Sequence, residues 1–561
     1  MKQTRARIGH VMTAAVATAL AAMAGAQGAE IATTVPDLTV RWDNTVKYSA
    51  AYRLKQPSPV QIAPGENTIN TGDGDRNFGK GIVSNRADLL SELDVAYRNF
   101  GVRVSGAAWY DSVYNRSADN PFQPTNNAAS VPAGEFTRAT RDLHGRKAEL
   151  LDAFVFAKGT LGDMPFTVRA GRHALVYGET LFFGMNGIAG AQQPIDVVKG
   201  LSVPGTQFKE LLRPVGQVSG QVQAGANVSL GAYYQYRWDK SRLPAAGSYF
   251  STVDFLDDGG EQLYAGVDAT GRPVALARAH DRLAKNSGQG GVQLKWSPEG
   301  VGIDFGFYAA RYHDKVPQVV LAPGLHTYSL YYHEGIRTYG ASATTTLGEF
   351  NFAAEASVRH NAPLSHAGTA DLIGLVPAAF GGPSAASDNA GNPVYPVGRT
   401  AHLNVSVLAS LGPSFIAREA SLVGEIAWNR VTSITKNASM IDPNARREGT
   451  AVRVIYEPNY RQVGSGLDLS VPIGLGYAPA GRSLALGNSF GVQRGGDISI
   501  GLNGVYESAW FLSLNYTHYF GREDTPTVVT HAARTLPQTA YTYGQAMKDR
   551  DFLSLSLRRT F

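Results

Sequence analysis

From about residue 39 to the last residue the chain repeats one pattern: stretches of about ten residues in which apolar and polar positions alternate. Trp510, Leu512, Leu514, Tyr516, His518 and Phe520 share one parity, and Ser513, Asn515 and Thr517 the other. Leu467, Leu469, Val471, Ile473, Leu475 and Tyr477 alternate with Asp468, Ser470, Pro472, Gly474 and Gly476; Val40, Trp42, Val46 and Tyr48 alternate with Arg41, Asp43, Thr45 and Lys47. Val228, Leu230, Ala232, Tyr234, Tyr236 and Trp238 make the same kind of face. Side chains of a strand alternate between its two faces, so each stretch predicts a strand with one face fit for lipid and one for water. Aromatic residues gather at the ends, where an interfacial girdle would lie.

The pattern predicts strands at about 39–52, 82–97, 102–113, 149–158, 164–171, 216–224, 228–238, 289–297, 302–313, 337–347, 350–359, 401–411, 419–430, 451–463, 467–477, 496–507, 510–520 and 551–561. The count is eighteen, and it is even. Links after odd strands are long, such as Asn115 to Ala148, Asp239 to Gly288 and His360 to Thr400, whereas links after even strands are short, such as Asn99 to Gly101. A sandwich or propeller has no reason to sort loop lengths by end, but a transmembrane antiparallel β-barrel with short periplasmic turns and long external loops has. In the last strand Leu553, Leu555, Leu557 and the terminal Phe561 share a face, an expected assembly signal for the barrel-insertion machinery.

Composition agrees with an all-β membrane protein. Only 17% of residues are charged, with 62 Gly and 26 Tyr in their place, so charge alone does not solvate the surface. Lys2, Arg5 and Arg7, the apolar stretch Val11 to Ala22 and the triplet Ala24-Gly25-Ala26 read as a signal peptide over residues 1–26, leaving 27–561 as one barrel domain in the outer membrane of a Gram-negative bacterium. Removing residues 1–26 takes away three positive charges, leaving 48 basic against 46 acidic residues, a net +2 in place of +5, and the electrostatic case for nucleic acid goes with them. With no Cys, neither a disulfide nor a thiolate metal site can form.

The predicted lumen face carries both signs: Arg41, Asp43, Glu92, Asp94, Arg103, Asp152, Arg169, Arg237, Asp304, Glu355, Arg359, Glu425, Arg453, Glu457 and Asp468. They predict either a charged, solute-selecting eyelet or, favoured by the mixed signs, a network of cross-strand ion pairs. The link Arg172 to Val215 differs from every other, being apolar and aromatic (Leu175, Val176, Tyr177, Leu181, Phe182, Phe183, Ile188) and punctuated by Gly178, Gly184, Gly187 and Gly190. Such a segment needs burial, either in the lumen as a constriction or against neighbouring loops. The lumen placement is favoured, and it makes Arg172, Tyr177, Glu179, Leu181, Phe182 and Phe183 the candidate substrate path. Phe208 to Leu212, before Pro214, predicts a single helical turn.

Two other chemistries find partial motifs in the sequence. Asp73, Asp75 and Asn77 match the first ligand positions of a calcium loop, but Phe78 stands where Gly is needed and Ser84 where the bidentate Glu belongs, so no metal and no cofactor is expected. A membrane lipase would pair a His with a Ser on the outer face; Phe520 follows His518 there, so no enzyme is expected.

Several segments together resemble the Proteobacterial family known as domain of unknown function 1302: Leu38 to Ser49, Gly72-Asp73-Gly74-Asp75-Arg76-Asn77-Phe78, Ser84-Asn85-Arg86 with Leu89 to Asp94, and Glu457-Pro458-Asn459-Tyr460-Arg461-Gln462-Val463 with Gly466 to Pro472. Gly171-Arg172-His173 through Tyr177-Gly178-Glu179 resembles a further family segment, with Tyr177 in place of an expected Trp. The resemblance implies an outer-membrane barrel whose partners are a periplasmic companion protein and an inner-membrane exporter of the resistance-nodulation-division type. Traffic in hydrophobic or amphipathic small molecules is the function expected, with a lipid- or ester-modifying enzyme or a general porin as alternatives. A separate plug domain is not expected, because the first strand begins so soon after the cleavage site.

Overall fold

The computed structural model describes residues 29–120, 127–203, 208–267, 272–376, 379, 382–530 and 538–561. The expected signal peptide, 1–26, lies outside the described residues. Eighteen antiparallel strands close on themselves: β1 (Leu38–Arg53), β2 (Gly81–Tyr97), β3 (Phe100–Asp111), β4 (Arg146–Leu161), β5 (Met164–His173), β6 (Val215–Gln223), β7 (Val228–Gln235), β8 (Gln289–Trp296), β9 (Ile303–Tyr312), β10 (Ile336–Leu347), β11 (Phe350–Pro363), β12 (Val397–Leu411), β13 (Glu419–Lys436), β14 (Glu448–Gly464), β15 (Leu467–Ser470 and Ile473–Ala480), β16 (Gly495–Tyr506), β17 (Trp510–Phe520) and β18 (Phe552–Thr560). Each pairs with its sequence neighbours, and β18 pairs with β1 from Thr45↔Thr560 to Arg53↔Phe552. Closure leaves no edge, so every strand finds its hydrogen-bond partners within the wall.

The period-2 pattern is why the wall has two chemistries. Leu230, Val292, Phe307, Ile426, Leu475, Ile500, Leu502, Leu514 and Leu555 all stand exposed on the outer face, while Ser513 donates inward to Asn503 at 2.7 Å. Exposed Trp42, Tyr97, Phe100, Trp296 and Tyr506 ring the short-turn end, and Tyr52, Tyr110, Tyr234, Tyr236 and Tyr339 the other. This is the apolar belt with two aromatic girdles of a transmembrane barrel. Among the described residues no helix is long and apolar enough to span a bilayer.

The ladder at the seam runs to the end of the chain, where Phe561 exchanges both backbone hydrogen bonds with Asn44 (2.7 and 2.8 Å). Below it the short strand Ala29–Ile31 folds back on β1, pairing with Val40 to Trp42. It covers the part of β1 that β18 does not reach.

Several strand limits depart from the sequence pattern, each for a local reason. β15 is broken at Val471-Pro472, since Pro472 has no N–H to give the ladder. β11 and β12 extend past their expected ends because the pairing register shifts between Arg359 and Ala362 and again on either side of Gly398-Arg399, which resets the alternation. β7 stops at Gln235, where the N–H groups of Tyr236 and Arg237 both turn to the Gly216 carbonyl. Trp238 therefore leaves the expected lipid face and is buried in the loops, edge-on to Tyr332 at 4.9 Å.

The long links form a folded cap over one end of the barrel. Strands Gln262–Val267, Pro273–Arg278, Gln318–Ala322, Thr327–Tyr331 and Thr369–Ala370, from three different links, make one sheet. Apolar packing is concentrated here, as in the cluster of Phe78, Val113, Tyr114, Phe136, Tyr249 and Phe552. At its base Asp75 is fully buried between two arginines, taking Arg53 at 2.8 Å and Arg550 at 2.6 and 3.0 Å. The Asp73-Gly74-Asp75-Arg76 turn is thus a docking element of the cap, its second carboxylate compensated by guanidinium charge.

Candidate functional site in the barrel lumen

The apolar link, described over residues 174–203 and 208–214, leaves the wall after β5 and reaches across the inner face of the barrel as far as β13 to β15. Tyr177 is 5% exposed and packs edge-on against Tyr233 of β7 (5.5 Å between rings), beside Tyr308 of β9 (6.4 Å) and Ile188. Its N–H donates to Gln192 (2.7 Å), which closes the segment on itself. Wall glycines make the room: a Cβ on Gly340 of β10 would lie 2.7 Å from the Ile188 side chain.

An irregular segment carries backbone groups with no ladder to join, and a lumen wall must satisfy them. Glu355 of β11 accepts from the N–H groups of Glu179 (2.7 Å) and Ile188 (2.5 Å). Glu425 of β13 accepts from three consecutive N–H groups, those of Leu181, Phe182 and Phe183, at 3.2, 2.5 and 2.9 Å. It also takes the Thr180 hydroxyl (2.8 Å) and Asn404 of β12 (2.7 Å). Successive N–H groups converging on one anion form a nest that favours negative charge. Arg359 of β11 does the reverse, donating to the carbonyls of Met185, Asn186 and Gly187 at 2.9, 3.0 and 2.8 Å. Asn186 lies over the paired strands β12 and β13, donating to Asn404 and Trp428 and accepting from His402 and Asn429.

The glycines follow from this grip. Gly178, at φ +94°, and Gly187 approach Glu355 so closely that a Cβ would lie 2.3 and 2.6 Å from its carboxylate oxygens. At Gly184 a Cβ would enter the ring of Phe208, which begins the helical turn Phe208–Leu211 and packs with Ala189 and Ile195. The expected helical turn is there, folded under the segment it follows.

Of the candidate path residues, Tyr177, Glu179, Leu181, Phe182 and Phe183 come together in this inserted segment. Glu179 pairs with Lys295 of β8. Phe183 packs against Phe490 (6.1 Å) over the small residues Ala427, Ala451 and Ala478 of the wall, while Leu181 and Phe182 are half-buried. Arg172 stays at the root, donating to the Leu151 carbonyl (2.9 Å) and to Asp239 (3.3 Å).

The lumen charges divide into two groups, ion pairs of the wall and side chains that hold the inserted segment. Arg103 collects Glu92 (2.5 Å), Asp94 (2.8 Å) and Asp152 (3.7 Å), and Arg453 pairs with Asp497 (2.9 Å), as ion pairs of the wall. Near the short turns Arg41 pairs with Asp43 (2.6 Å) and Arg461 with Asp468 (3.5 Å), while Glu457 accepts from Ser470 (2.5 Å). Glu355, Glu425 and Arg359 instead hold the inserted segment. Arg237 is not a lumen charge, since it lies beyond the end of β7 beside Asp239. Glu425 and Arg359 stood among the inward charges without being singled out, and Asn186 and Asn404 were missed. One signal was available: Glu355 faces only Ser342 and Asn404 across the ladder, an inward acid with no basic neighbour on either side.

On the outer face His518 lies 2.7 Å from Asp551, a carboxylate that also takes Lys55 and the Tyr519 N–H. It belongs to the hydrogen bonding of the rim.

No curated protein matches the sequence. Similar solved structures include OccAB2 of Acinetobacter baumannii, at 10% identity over 95% of this chain and 99% of that one with a TM-score of 0.42. OpdK of Pseudomonas aeruginosa with vanillate has 9% identity over 93% and 98%, TM-score 0.39. The outer membrane channel DcaP of Acinetobacter baumannii has 9% identity over 95% and 100%, TM-score 0.37. The family model described as protein of unknown function (DUF1302) matches residues 10–561, and the chain belongs to that family.

Proposed function

We propose that the protein is a gated channel of the outer membrane of a Gram-negative bacterium, passing small hydrophobic or amphipathic molecules. The observation that carries the reading is the grip of Glu355 and Glu425 on the backbone of the inserted segment, which holds an apolar surface inside a water-facing wall. An apolar constriction tends to dewet and so to oppose hydrated ions, whereas a ligand with a hydrocarbon body gains about 25 cal/mol per Å² of apolar contact there. Export by the signal peptide at 1–26, assembly through the terminal Phe561, and work with a periplasmic companion and an inner-membrane exporter belong to the same proposal and rest on the sequence and the family resemblance.

The test is conductance in planar bilayers. Wild-type protein should conduct little, Phe182→Ala with Phe183→Ala should raise conductance while weakening passage of an apolar solute, and deletion of Leu181 to Gly190 should do both more strongly. A wide, steady wild-type conductance that neither change alters would replace this reading with a general porin.

A further inference from the structure

Two phenylalanines break the polar rule of the lumen. β4 is bulged, Val104↔Ala153 giving way to Gly106↔Leu150, and beyond the bulge Asp152, Phe154, Phe156 and Lys158 point inward. With Asp94, Arg103, Thr167, Arg169 and His173 they line a cavity of about 410 Å³, which ends at Ala174, the first residue of the inserted segment. The segment turns away along β7 to β13 and leaves these rings uncovered.

Each ring has a cation above it. The Arg169 guanidinium carbon lies 5.8 Å from the centre of Phe154, and Lys158 Nζ 5.6 Å from that of Phe156. Both basic side chains are exposed to lumen water, and among the described residues neither has a carboxylate partner. The acids of the cavity are committed elsewhere: Asp94 and Asp152 converge with Glu92 on Arg103, and Asp152 also accepts from Ser105 (3.1 Å). What remains unspent is positive charge beside open aromatic surface.

We infer that this cavity binds small amphipathic carboxylates, molecules with an aromatic or alicyclic body and one anionic head. The body lies on Phe154 and Phe156, displacing water from both rings. The head lies between Lys158 and the planar fork of Arg169, which matches a carboxylate. An ammonium head would meet two unpaired like charges. The inference deepens the channel reading and rests on it, since the ligand reaches the cavity through the lumen; a ligand there sits at the root of the gating segment.

The experiment is calorimetric titration of the purified full-length barrel in detergent with 4-phenylbutyrate, 4-phenylbutylamine and butyrate. Phenylbutyrate should bind saturably and at least tenfold more tightly than either control. Lys158→Gln with Arg169→Gln should cost at least tenfold in its affinity while the barrel stays heat-modifiable. Phe154→Leu with Phe156→Leu should weaken phenylbutyrate and leave butyrate unchanged. Absent saturable binding, equal affinity for the amine, or unchanged affinity in the Lys158/Arg169 variant would overturn the site. Bilayer conductance reads the channel separately, through the rise expected in Phe182→Ala with Phe183→Ala: that rise without phenylbutyrate binding removes the site and keeps the channel, and binding without that rise does the reverse.

Discussion

Removing the Glu425 carboxylate should free the inserted segment while leaving the barrel closed. The carboxylate accepts from four groups of the segment, three of them consecutive N–H donors, and from Asn404 in the wall. Glu425 is 2% exposed, so its bonds are shielded from competing water. A hydrogen bond to a charged group contributes roughly 1.5 to 3 kcal/mol, and lumen water entering the space left by Glu425→Ala would recover part of the total. A net loss of about 3 to 5 kcal/mol in docking is expected, close to what breaking one side of a buried charged contact costs. At about 1.4 kcal/mol per tenfold, the undocked population should rise by a factor on the order of 100 to 1,000 or more. Hydrogen exchange on the reconstituted barrel would read this at the amides of Leu181, Phe182 and Phe183, which should lose protection by that factor while the amides of β13 keep theirs. Glu425→Gln should fall between, because its carbonyl oxygen still accepts but the charge is gone. Glu457→Ala, which removes an inward acid bonded to Ser470 of the wall, is the control. If the three amides exchange at the wild-type rate in Glu425→Ala, or speed up equally in Glu457→Ala, the carboxylate is not the anchor and the gating argument fails.

Two further outcomes test the fold. Leu514 and Leu502 stand on the outer face and Ser513 and Asn503 on the inner, so Lys at either leucine should cost about 2 to 4 kcal/mol of barrel stability near the midplane and Lys at either polar position little; equal costs would refute the register. In the cap, burial raises the Asp73 carboxyl to about 7 and that of its neighbour Asp254, which accepts the Asp73 N–H, well above the usual range. The native cap then holds protons that the opened chain releases near the ordinary carboxylate value, so its stability is greatest in acid and is lost as pH rises through about 7. Protection factors of the Asp75 and Asn127 amides, measured against the base-catalysed intrinsic exchange rate, should fall over that interval and Asp73→Asn should flatten the trend; protection independent of pH in the wild type would refute the role of the pair.

Strand number, lipid face and the sorting of loop lengths were legible in the sequence because they follow from a period-2 alternation, which is local and repeated in every strand. Leu512, Leu514 and Ser513 sit where their parity puts them. The unusual character of residues 172–215 was legible for the same kind of reason, since an apolar link stands out against polar ones, and Phe208 with Pro214 marked a turn by local chemistry. What alternation cannot carry is a change in its own phase: the bulge in β4 that leaves Leu150 on the outer face while Asp152, of the same parity, points inward, the register shift after Arg359, and the end of β7 that draws Trp238 into the cap all come from pairing between strands. The role of the inward charges was decided later still. Glu355, Glu425 and Arg359 looked like members of an ion-pair network because their partners are not charged side chains but the N–H and C=O groups of a segment far away in sequence. A backbone group has no letter of its own, so its need for a partner becomes visible only when the tertiary fold lays the segment against the wall.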